Sequence, residues 1–356
     1  MGAAIIGTGF IAQVHAQALK AMGREIAVVI HPSAEKARAF AKTWGANSWS
    51  ADPDAFLNDA MDCVHICTPP MLHFETVQAA LEAGKHVICE KPLCISAREA
   101  KTLWQLAERQ GVVHAVNFNV RFYEACRKAR EEIASGSLGR TLLIHGSYLQ
   151  AFHALPSPYS WRYQPEKAGK MRAMTEIGSH WIDLARYWTG LEVTAVSADF
   201  AGFFPKRYVA DGIMQESGNG TEITVDSEDA ALLHLRFSNG AAGSVVLSEV
   251  SHGRNNRLSL EVTGNRSSLW WNSEDPWRLH HGTSDVSTQI NAFSGGFPQT
   301  FQDFFAAVYR DIAAGNPAAK PDYPTFYDGY INAAVCEAAL ESSENQGKWI
   351  NVEGIK

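Results

Sequence analysis

Short apolar runs alternate with helical patterns along the first third of the chain. Five runs of four to six apolar-rich residues have the length and β-branched content of buried strands. They lie at residues 3–6, 26–30, 62–67, 86–89 and 112–116. Between them, apolar residues recur every three or four positions, which is typical of amphipathic helices. Repeated strand–helix units predict a parallel sheet with helices on both faces.

The pattern changes after about residue 122. Longer strand patterns occupy 141–148, 230–237, 243–250 and 258–263, and Ser238-Asn239-Gly240 is a turn signal between two of them. They predict a second, α+β domain with a large, mostly antiparallel sheet that is open on one face. The Gly-rich, polar segment 203–224 is predicted to be a long loop. We therefore expect two domains, 1–122 and 123–356.

Composition narrows the class of protein. The chain has 356 residues, of which 46% are hydrophobic and 19% charged, with a net charge of −7. These values predict folded cores and no attraction to nucleic acid. No apolar run approaches the ~20 residues of a membrane span, and no secretory-signal pattern is present, so a cytoplasmic protein is expected. The six cysteines form no C-x-x-C pair, so we expect reduced thiols and no metal site.

A glycine-rich turn follows the first predicted strand. Residues Gly7, Gly9 and Ala12 fit G-x-G-x-x-G/A, and Phe10 and Ile11 open the helix that follows. The first glycine permits a tight turn, the second lets the backbone approach a pyrophosphate, and the alanine lets helix and strand pack closely. The helix N-terminus then offers N–H groups to phosphate oxygens. The motif predicts a Rossmann domain that binds a dinucleotide.

The end of the second strand lacks the usual acidic residue. His31 stands where an Asp or Glu would bind the ribose 2′-hydroxyl. A 2′-phosphate would therefore not be repelled, and His31, Ser33 and Lys36 or Arg38 are candidates to contact it. These side chains are equally compatible with an ordinary loop and NAD binding. We expect NAD(P), with a slight preference for NADP.

A lysine follows the strand pattern at 86–89. Glu90, Lys91 and Pro92 come directly after it, at the edge where open α/β sheets bind their ligands. An ammonium group there could orient a substrate hydroxyl and stabilise developing alkoxide charge. Pro92 makes the turn rigid, and a cis bond is possible at this position. A lysine in a turn is, by itself, more often only a solvated charge.

A later helical segment carries a histidine between carboxylates. At 3.6 residues per turn, Glu176, His180, Asp183 and Tyr187 share one face, and Gly190 ends the helix. An imidazole with a carboxylate partner has the near-neutral pKa and the fixed tautomer that a general base needs. The spacing by itself fits a purely structural histidine as well.

Four motifs together resemble one family. They are Gly7-x-Gly9-x-x-Ala12, Thr68-Pro69-Pro70 with His73, Glu90-Lys91-Pro92, and Glu176 to His180 with Asp183. Their order and spacing are similar to those of the Gfo/Idh/MocA oxidoreductases. The resemblance implies a Rossmann domain, a C-terminal domain with a large open sheet, a substrate cleft between them, and a homodimer or homotetramer assembled through that sheet.

The same resemblance implies residue roles. Lys91 and His180 would be catalytic, with Glu176 and Asp183 orienting His180; Glu176 replaces the family's Asp, which moves that charge. The first three motifs would hold the cofactor together with Asn119, which also reaches the substrate. The substrate-binding candidates besides Lys91 and His180 are Asn119, Gln150, His153, Trp161, Arg162 and Tyr163.

The predicted reaction is hydride transfer between a nicotinamide and a carbinol carbon. Aromatic rings with hydrogen-bonding groups in segment 148–172 suit a sugar, glycoside or cyclic polyol, and Arg162 and Lys170 leave acidic sugars open. Two alternatives share this fold: a glycosidase that retains NAD, and a non-enzymatic sensor of dinucleotide or sugar. Loss of Lys91 or His180 would favour the sensor, and both are present.

Overall fold

The computed structural model describes residues 2–58, 60–283, 285, 287–315 and 317–354. The chain forms two compact units. The first comprises Met1–Phe122 and Gly295–Tyr330, and the second comprises Tyr123–Ser294 and Ile331–Lys356. No helix among the described residues is both long and apolar enough to cross a membrane.

The first unit is built on a six-stranded parallel sheet. Its strands are β1 (Gly2–Ile6), β2 (Ile26–Ile30), β3 (Ser48–Ser50), β4 (Met61–Ile66), β5 (His86–Cys89) and β6 (His114–Val116). Its helices are α1 (Phe10–Ala21), α2 (Ala34–Trp44), α3 (His73–Glu82) and α4 (Ala97–Gln110). The strand order β3-β2-β1-β4-β5-β6, with every pairing parallel, confirms the predicted Rossmann sheet. Strand β3 was not predicted, because its three residues carry only one apolar side chain.

A distant segment completes the core of this unit. Helices α8 (Phe297–Ala314) and α9 (Phe326–Glu344) lie between the strands Thr288–Ala292 and Ile350–Asn351 in the chain, and the first unit takes in α8 and the start of α9, to Tyr330. Phe301, Phe304 and Phe305 of α8 are fully buried in one cluster with Ala12 and Ala16 of α1. The sequence prediction placed 123–356 in one continuous domain, whereas residues 295–330 group with the first unit. No local sequence pattern indicates that residues 295–330 pack with the first unit.

The second unit contains a nine-stranded mixed sheet. Its strands are β7 (Thr141–Leu149), β9 (Val193–Ala201), β13 (Ala230–Phe237), β14 (Ala242–Ser248), β15 (Arg257–Gly264), β16 (Ser268–Asn272), β17 (Arg278–Gly282), β18 (Thr288–Ala292) and β19 (Ile350–Asn351). Among the described strands of this sheet, only β14 and β7 pair in parallel, so the predicted mostly antiparallel sheet is confirmed. Along β13, buried Leu233 and Leu235 alternate with exposed Leu232 and His234, which leaves one face open.

Three further helices belong to the second unit. They are α5 (Glu124–Ala134), the single turn α6 (Pro165–Ala168) and α7 (Ser179–Thr189). Trp181 and Trp188 of α7 are fully buried, as the predicted apolar face of this helix requires. The indole N–H of Trp181 donates to the Ser259 carbonyl of β15, 3.0 Å away, which fixes α7 against the sheet.

The predicted long loop at 203–224 is wrong. It contains β10 (Lys206–Ala210), β11 (Ile213–Gln215) and β12 (Thr221–Thr224), which join β8 (Ser157–Pro158) in a four-stranded sheet. Asp211 and Gly212, both with positive φ, form the two-residue turn between β10 and β11. These strands are too short to show a clear alternation, but the Asp-Gly pair was a usable turn signal that our prediction overlooked.

Candidate active site

The glycine-rich turn has the geometry of a phosphate loop. Gly7 has φ of +110°, and a Cβ there would lie 2.6 Å from the Cys67 carbonyl oxygen, so only glycine fits. A Cβ at Gly9 would meet nothing within 4 Å. Ala12 is fully buried against the core, whereas Phe10 is 74% exposed. The turn is thus packed tightly against Cys67 at Gly7 and is accessible at Gly9, where α1 begins.

This arrangement fits a dinucleotide pyrophosphate. The first turn of α1 has N–H groups without helical acceptors, as at every helix start, and its dipole favours an anion. The space beyond Gly9 leaves that helix end accessible. Because the space is defined by the backbone, the residues present fit the cofactor that the motif predicts.

The candidate 2′-phosphate residues lie at the end of β2 and the start of α2. The Ser33 N–H donates to Nδ1 of His31 at 2.9 Å, and the Lys36 N–H donates to the Ser33 hydroxyl at 3.4 Å, which caps α2. Burial and the Lys36 charge lower the pKa of His31, so its ring is neutral near pH 7. Arg38 is exposed one turn further along α2. His31 occupies the strand end itself, and the carboxylate of this stretch, Glu35, lies in the first turn of α2.

The Lys91 turn is held from two sides. The Lys91–Pro92 peptide is cis, which confirms the bond that the sequence allowed. The Glu90 carboxylate accepts the Lys91 N–H at 3.2 Å. His73 is fully buried, and its ring nitrogens lie 2.9 Å from the Pro92 and Thr68 carbonyl oxygens. His73 therefore joins the turns that follow β4 and β5, and its part in a cofactor site would be to fix them.

Asn119 is placed by its neighbours in the first unit. It begins a 3-10 turn at Asn119–Phe122, is 4% exposed, and donates from Nδ2 to the Thr300 hydroxyl of α8 at 2.8 Å. Arg121 in the same turn pairs with Asp328 at 2.8 Å. The turn is thus fastened to the helices that return to this unit.

His180 lies at the second position of α7, directly after a π-helical segment at Met174–Gly178. The Glu228 carboxylate accepts the N–H groups of Arg172 and Met174, which caps this segment. His180 is half-buried, and its ring centroid lies 6.4 Å from that of Tyr148 on β7. Single π-turns are frequent at functional sites. Tyr148 is the first residue of the predicted substrate segment 148–172, although it was not singled out as a site residue.

The structure gives Glu176 a partner that the sequence did not indicate. Nε of Arg162 lies 3.1 Å from Oε2 of Glu176, and the Arg162 guanidinium also stacks over the Trp161 ring at 4.5 Å. Asp183, the other predicted neighbour of His180, is 1% exposed. The predicted face at 3.6 residues per turn holds only from Ser179 onward, because the π-helical turn precedes it.

Other predicted substrate residues are also ordered by polar contacts. Gln150 donates to Asn256 at 2.7 Å, and the Tyr163 hydroxyl lies 2.5 Å from Nδ1 of His153. Burial and the charge of Arg172 lower the pKa of His153 to about 3, so its ring is neutral. Gln150, His153 and Tyr163 are buried, whereas Trp161 and Arg162 are half-exposed.

A buried ionic cluster behind these residues was missed entirely. Arg172 contacts Asp229 and also Glu249, the latter at 2.9 Å. Arg207 pairs with Asp229 at 2.6 Å. Both guanidinium groups lie over the Tyr163 ring, 4.8 and 4.9 Å from its centroid. Burial, with Glu176 and Glu228 nearby, raises the pKa of Glu249 to about 8 despite the Arg172 charge. No spacing rule connects residues so far apart in sequence.

A Rossmann sheet with an open phosphate loop, followed by a large open sheet with a histidine helix, defines a two-unit oxidoreductase architecture. Family models agree with that class. The model described as "Oxidoreductase family, NAD-binding Rossmann fold" matches residues 1–118, and "GFO/IDH/MocA C-terminal domain" matches residues 126–270. The chain belongs to the GFO/IDH/MocA oxidoreductase family.

Individual relatives support this assignment over the whole chain. Levoglucosan dehydrogenase of Pseudarthrobacter phenanthrenivorans is 33% identical, covering 99% of this chain and 98% of that protein. The scyllo-inositol 2-dehydrogenase (NAD(+)) of Bacillus subtilis is 28% identical, covering 96% and 94%. A levoglucosan dehydrogenase structure in complex with NADH and levoglucosan has a TM-score of 0.90 at 31% identity, covering 99% of each chain.

Proposed function

We propose that this protein transfers a hydride between a nicotinamide dinucleotide and a carbinol carbon of a sugar, glycoside or cyclic polyol. The observation that carries the proposal is the Lys91 turn, which lies at the carboxyl end of β5 and is held by Glu90 and His73. In open α/β sheets this edge binds the ligand. The relatives named for levoglucosan and scyllo-inositol support a cyclic polyhydroxylated substrate.

In this proposal Lys91 and His180 act on one substrate oxygen. Oxidation removes a hydride from the carbinol carbon and a proton from its hydroxyl. His180 accepts that proton, while the Lys91 ammonium holds the oxygen and stabilises its developing charge. Glu176 and Asp183 orient His180, with Glu176 itself held by Arg162. The bound dinucleotide supplies the hydride acceptor.

The cofactor would be held by the loops at the strand ends of the first unit. The proposed contacts are Gly7, Gly9, Phe10, Ile11, Ala12, Thr68, Pro69, Pro70, Glu90, Lys91, Pro92 and Asn119, with His73 behind them. For the ribose we keep the slight preference for NADP, because His31 replaces the usual acidic residue at the strand end and Ser33 and Lys36 follow it. The NADH complex of the levoglucosan dehydrogenase supports the opposite preference.

Substrate contacts are proposed from the second unit. Trp161 offers an aromatic face for the C–H side of a sugar ring, and Arg162 and Gln150 offer hydrogen-bond donors at its edge. His153 and Tyr163 would shape the pocket from behind, because both are buried and bonded to each other. Asn119 is kept as a further contact to the substrate.

We also propose a homodimer or homotetramer formed through the open face of the nine-stranded sheet. Leu143, Leu232 and Val246 are 38–48% exposed there, and Leu232 lies opposite Val246 in the ladder. Exposed apolar side chains on one face favour association. Val246→Glu should shift the protein to a smaller species in light scattering, whereas the same species in both proteins would contradict this interface.

The test is a turnover screen with matched variants. Sugars, glycosides and inositols with each cofactor should produce reduced nicotinamide, whereas short alcohols should not. His180→Ala should lower kcat by ~10²–10⁴ with little change in cofactor affinity, and Lys91→Ala should do similar damage and weaken substrate binding. His252→Ala, at an exposed position of the same unit, should match the wild type.

Four outcomes would contradict the proposal. Activity only with linear 2-hydroxy acids would exclude the sugar assignment. Release of a leaving group with a retained cofactor would identify the glycosidase. Tight cofactor binding without turnover of any compound would identify the sensor. Full activity of His180→Ala would show that another residue is the base.

A further inference from the structure

Two histidines meet in the interior of the first unit. His15 of α1 and His65 of β4 are both 0% exposed, and their Nδ1 atoms are 3.0 Å apart. The rings of Phe301 and Phe305 pack around His15. Two imidazole nitrogens at this distance need one proton between them. The pair is therefore a specific hydrogen bond within an aromatic core.

The pair is part of a longer chain that ends beside Lys91. Nε2 of His15 lies 2.9 Å from Oε1 of Glu90. The amide of Asn117 donates to the same oxygen at 2.5 Å. At the other end, Nε2 of His65 lies 3.0 Å from the Tyr309 hydroxyl of α8. Four side chains from four separate segments thus connect α8 to the turn that follows β5.

The proton positions along this chain follow from the state of Glu90. An ionised carboxylate only accepts, so His15 donates from Nε2; with a neutral His15 ring, Nδ1 then accepts from His65, and His65 accepts from the Tyr309 hydroxyl. Every ring is then neutral and every contact is satisfied. A proton on Glu90 would reverse all three bonds. The Asn117 amide and the Lys91 N–H both donate to this carboxylate, which favours the ionised state.

We propose that His15 is a positioning residue for Lys91, because it holds the Glu90 carboxylate fixed and ionised against the Lys91 turn. The inference rests on the proposed function, in which Lys91 must stay a cation and keep its place. The Glu90 carboxylate accepts the Lys91 N–H, so fixing this carboxylate also fixes the backbone of the turn that carries the lysine. His15 belongs to the helix that begins at the phosphate loop, so the same helix that would hold the pyrophosphate also holds the lysine turn.

The charges around Glu90 agree with this assignment. Burial alone would raise the pKa of Glu90, but the hydrogen bonds from His15 and the Asn117 amide, together with the Lys91 charge, lower it. Burial also lowers the pKa of His65, which keeps its ring neutral. The titratable groups that face Glu90 from the packed elements are His15 on α1, Cys67 after β4, His73 on α3, Cys89 on β5 and Lys91.

Four variants separate positioning from simple structural damage. His15→Phe keeps an aromatic ring among Phe301 and Phe305 but removes the donor to Glu90. His15→Gln keeps a donor in the Nε2 position. Glu90→Gln keeps the volume and removes the charge, and it serves also if His15→Phe fails to fold. His114→Gln is the matched control, since His114 is a buried histidine of β6 that contacts Glu108 and the Phe326 N–H, not Glu90.

The expected results differ in kind among the variants. His15→Phe should lower kcat about 10–100-fold at pH 7, the usual cost of removing such a supporting contact. Without its donor, burial should dominate Glu90, so Glu90 takes up a proton and activity recovers towards wild type as the pH rises to about 9. Glu90→Gln should show the same loss without recovery. His15→Gln and His114→Gln should stay within about threefold of wild type.

Two measurements that do not depend on turnover test the same distinction between a positioning role and structural damage. Infrared spectra of the protein without cofactor should show the C=O stretch of a protonated carboxyl group in His15→Phe at pH 7, lost at higher pH and absent from wild type. NAD(P) affinity by calorimetry should change less than about threefold in His15→Phe, because the pyrophosphate contacts are backbone groups.

The outcomes distinguish this inference from the proposed function. A wild-type protein that oxidises no sugar or polyol overturns the proposed function. An active wild type with an unchanged pH profile in His15→Phe overturns the positioning role alone. So does a loss in His15→Phe that is equal at every pH, or an equal loss in His114→Gln, because either result would indicate general damage to the core.

Discussion

The two units present their candidate sites in different ways. The first unit uses backbone: the Gly7 and Gly9 turn, the cis Lys91–Pro92 peptide, and strand ends joined by His73. The second unit uses charged and aromatic side chains, with Arg162 on Glu176 and the Arg172 cluster behind them. A backbone site tolerates most side-chain changes away from its glycines, whereas a side-chain site depends on each charge having its partner.

The buried polar networks of the two units differ as well. In the first unit, neutral rings form a directed chain that ends on one carboxylate, Glu90. In the second unit, the three arginines 162, 172 and 207 face the four carboxyl groups of Glu176, Glu228, Asp229 and Glu249. Three cations balance only three anions, which agrees with one carboxyl group, Glu249, retaining a proton. The first network thus holds a single charged group, Glu90, whereas in the second several charged groups contact one another.

The largest expected effect tests the backbone site. Gly9→Asp should lower NAD(P) affinity at least ~10³-fold, about 4 kcal/mol, because a carboxylate would face the pyrophosphate. The protein should still fold, since a Cβ at Gly9 meets nothing within 4 Å. Calorimetry measures the affinity, and Gly202→Asp, where a Cβ is equally free, is the control. Unchanged affinity in Gly9→Asp would reject the phosphate loop.

The next effect tests the side-chain site. Arg172→Met should lower the free energy of unfolding by about 3 kcal/mol, because buried Asp229 loses one of its two cations and the buried Glu228 carbonyl loses its donor. Arg310→Met, which removes an exposed pair with Asp322, should cost less than about 1 kcal/mol. Urea denaturation measures both. Equal losses in the two variants would show that burial of the cluster does not set its importance.

A smaller expected effect tests whether Glu249 retains a proton in the folded protein. The pKa of Glu249 is about 8 in the folded protein, above its ordinary value of 4.5, so the folded state binds one more proton between these pH values. Stability should therefore fall as pH rises through this window, by up to ~1.4 kcal/mol per pH unit.

Glu249→Gln removes that proton. From about pH 6 to about pH 8, wild type should lose roughly 2 kcal/mol relative to Glu249→Gln in denaturant titrations. Glu166→Gln, at an exposed position of the same unit, should follow wild type at every pH. A constant difference between wild type and Glu249→Gln across this range would contradict the proton on Glu249.

The smallest expected effect concerns a side chain at the edge of the backbone site. His31→Asp should shift the ratio of NADP to NAD affinity towards NAD by about tenfold, ~1.4 kcal/mol, because the new carboxylate repels a 2′-phosphate. Lys42→Asp, on the last turn of α2, should leave the ratio unchanged. A wild-type preference for NAD of tenfold or more would reject the NADP proposal.

Prediction from sequence succeeded where the signal was local. The strand at 26–30 and the strand at 86–89 were predicted to the residue, and the Asn239-Gly240 turn does connect β13 to β14. The Gly7 turn was predicted because the spacing of its glycines follows from the backbone conformation of the turn. Prediction failed for β3 and for β10 to β12, since these short strands are mostly exposed and lack the continuous apolar run that marks β2 and β5.

The sequence by itself determined the alternation of strands and helices, the phosphate loop and the positions of Lys91 and His180, because each depends on neighbours within a few residues. Only the tertiary structure decided the partners. His15 meets His65 across 50 positions and Glu90 across 75, and Arg172 meets Asp229 across 57. A buried polar group must find a partner when water is removed, but the sequence does not say which distant group packing will bring to it.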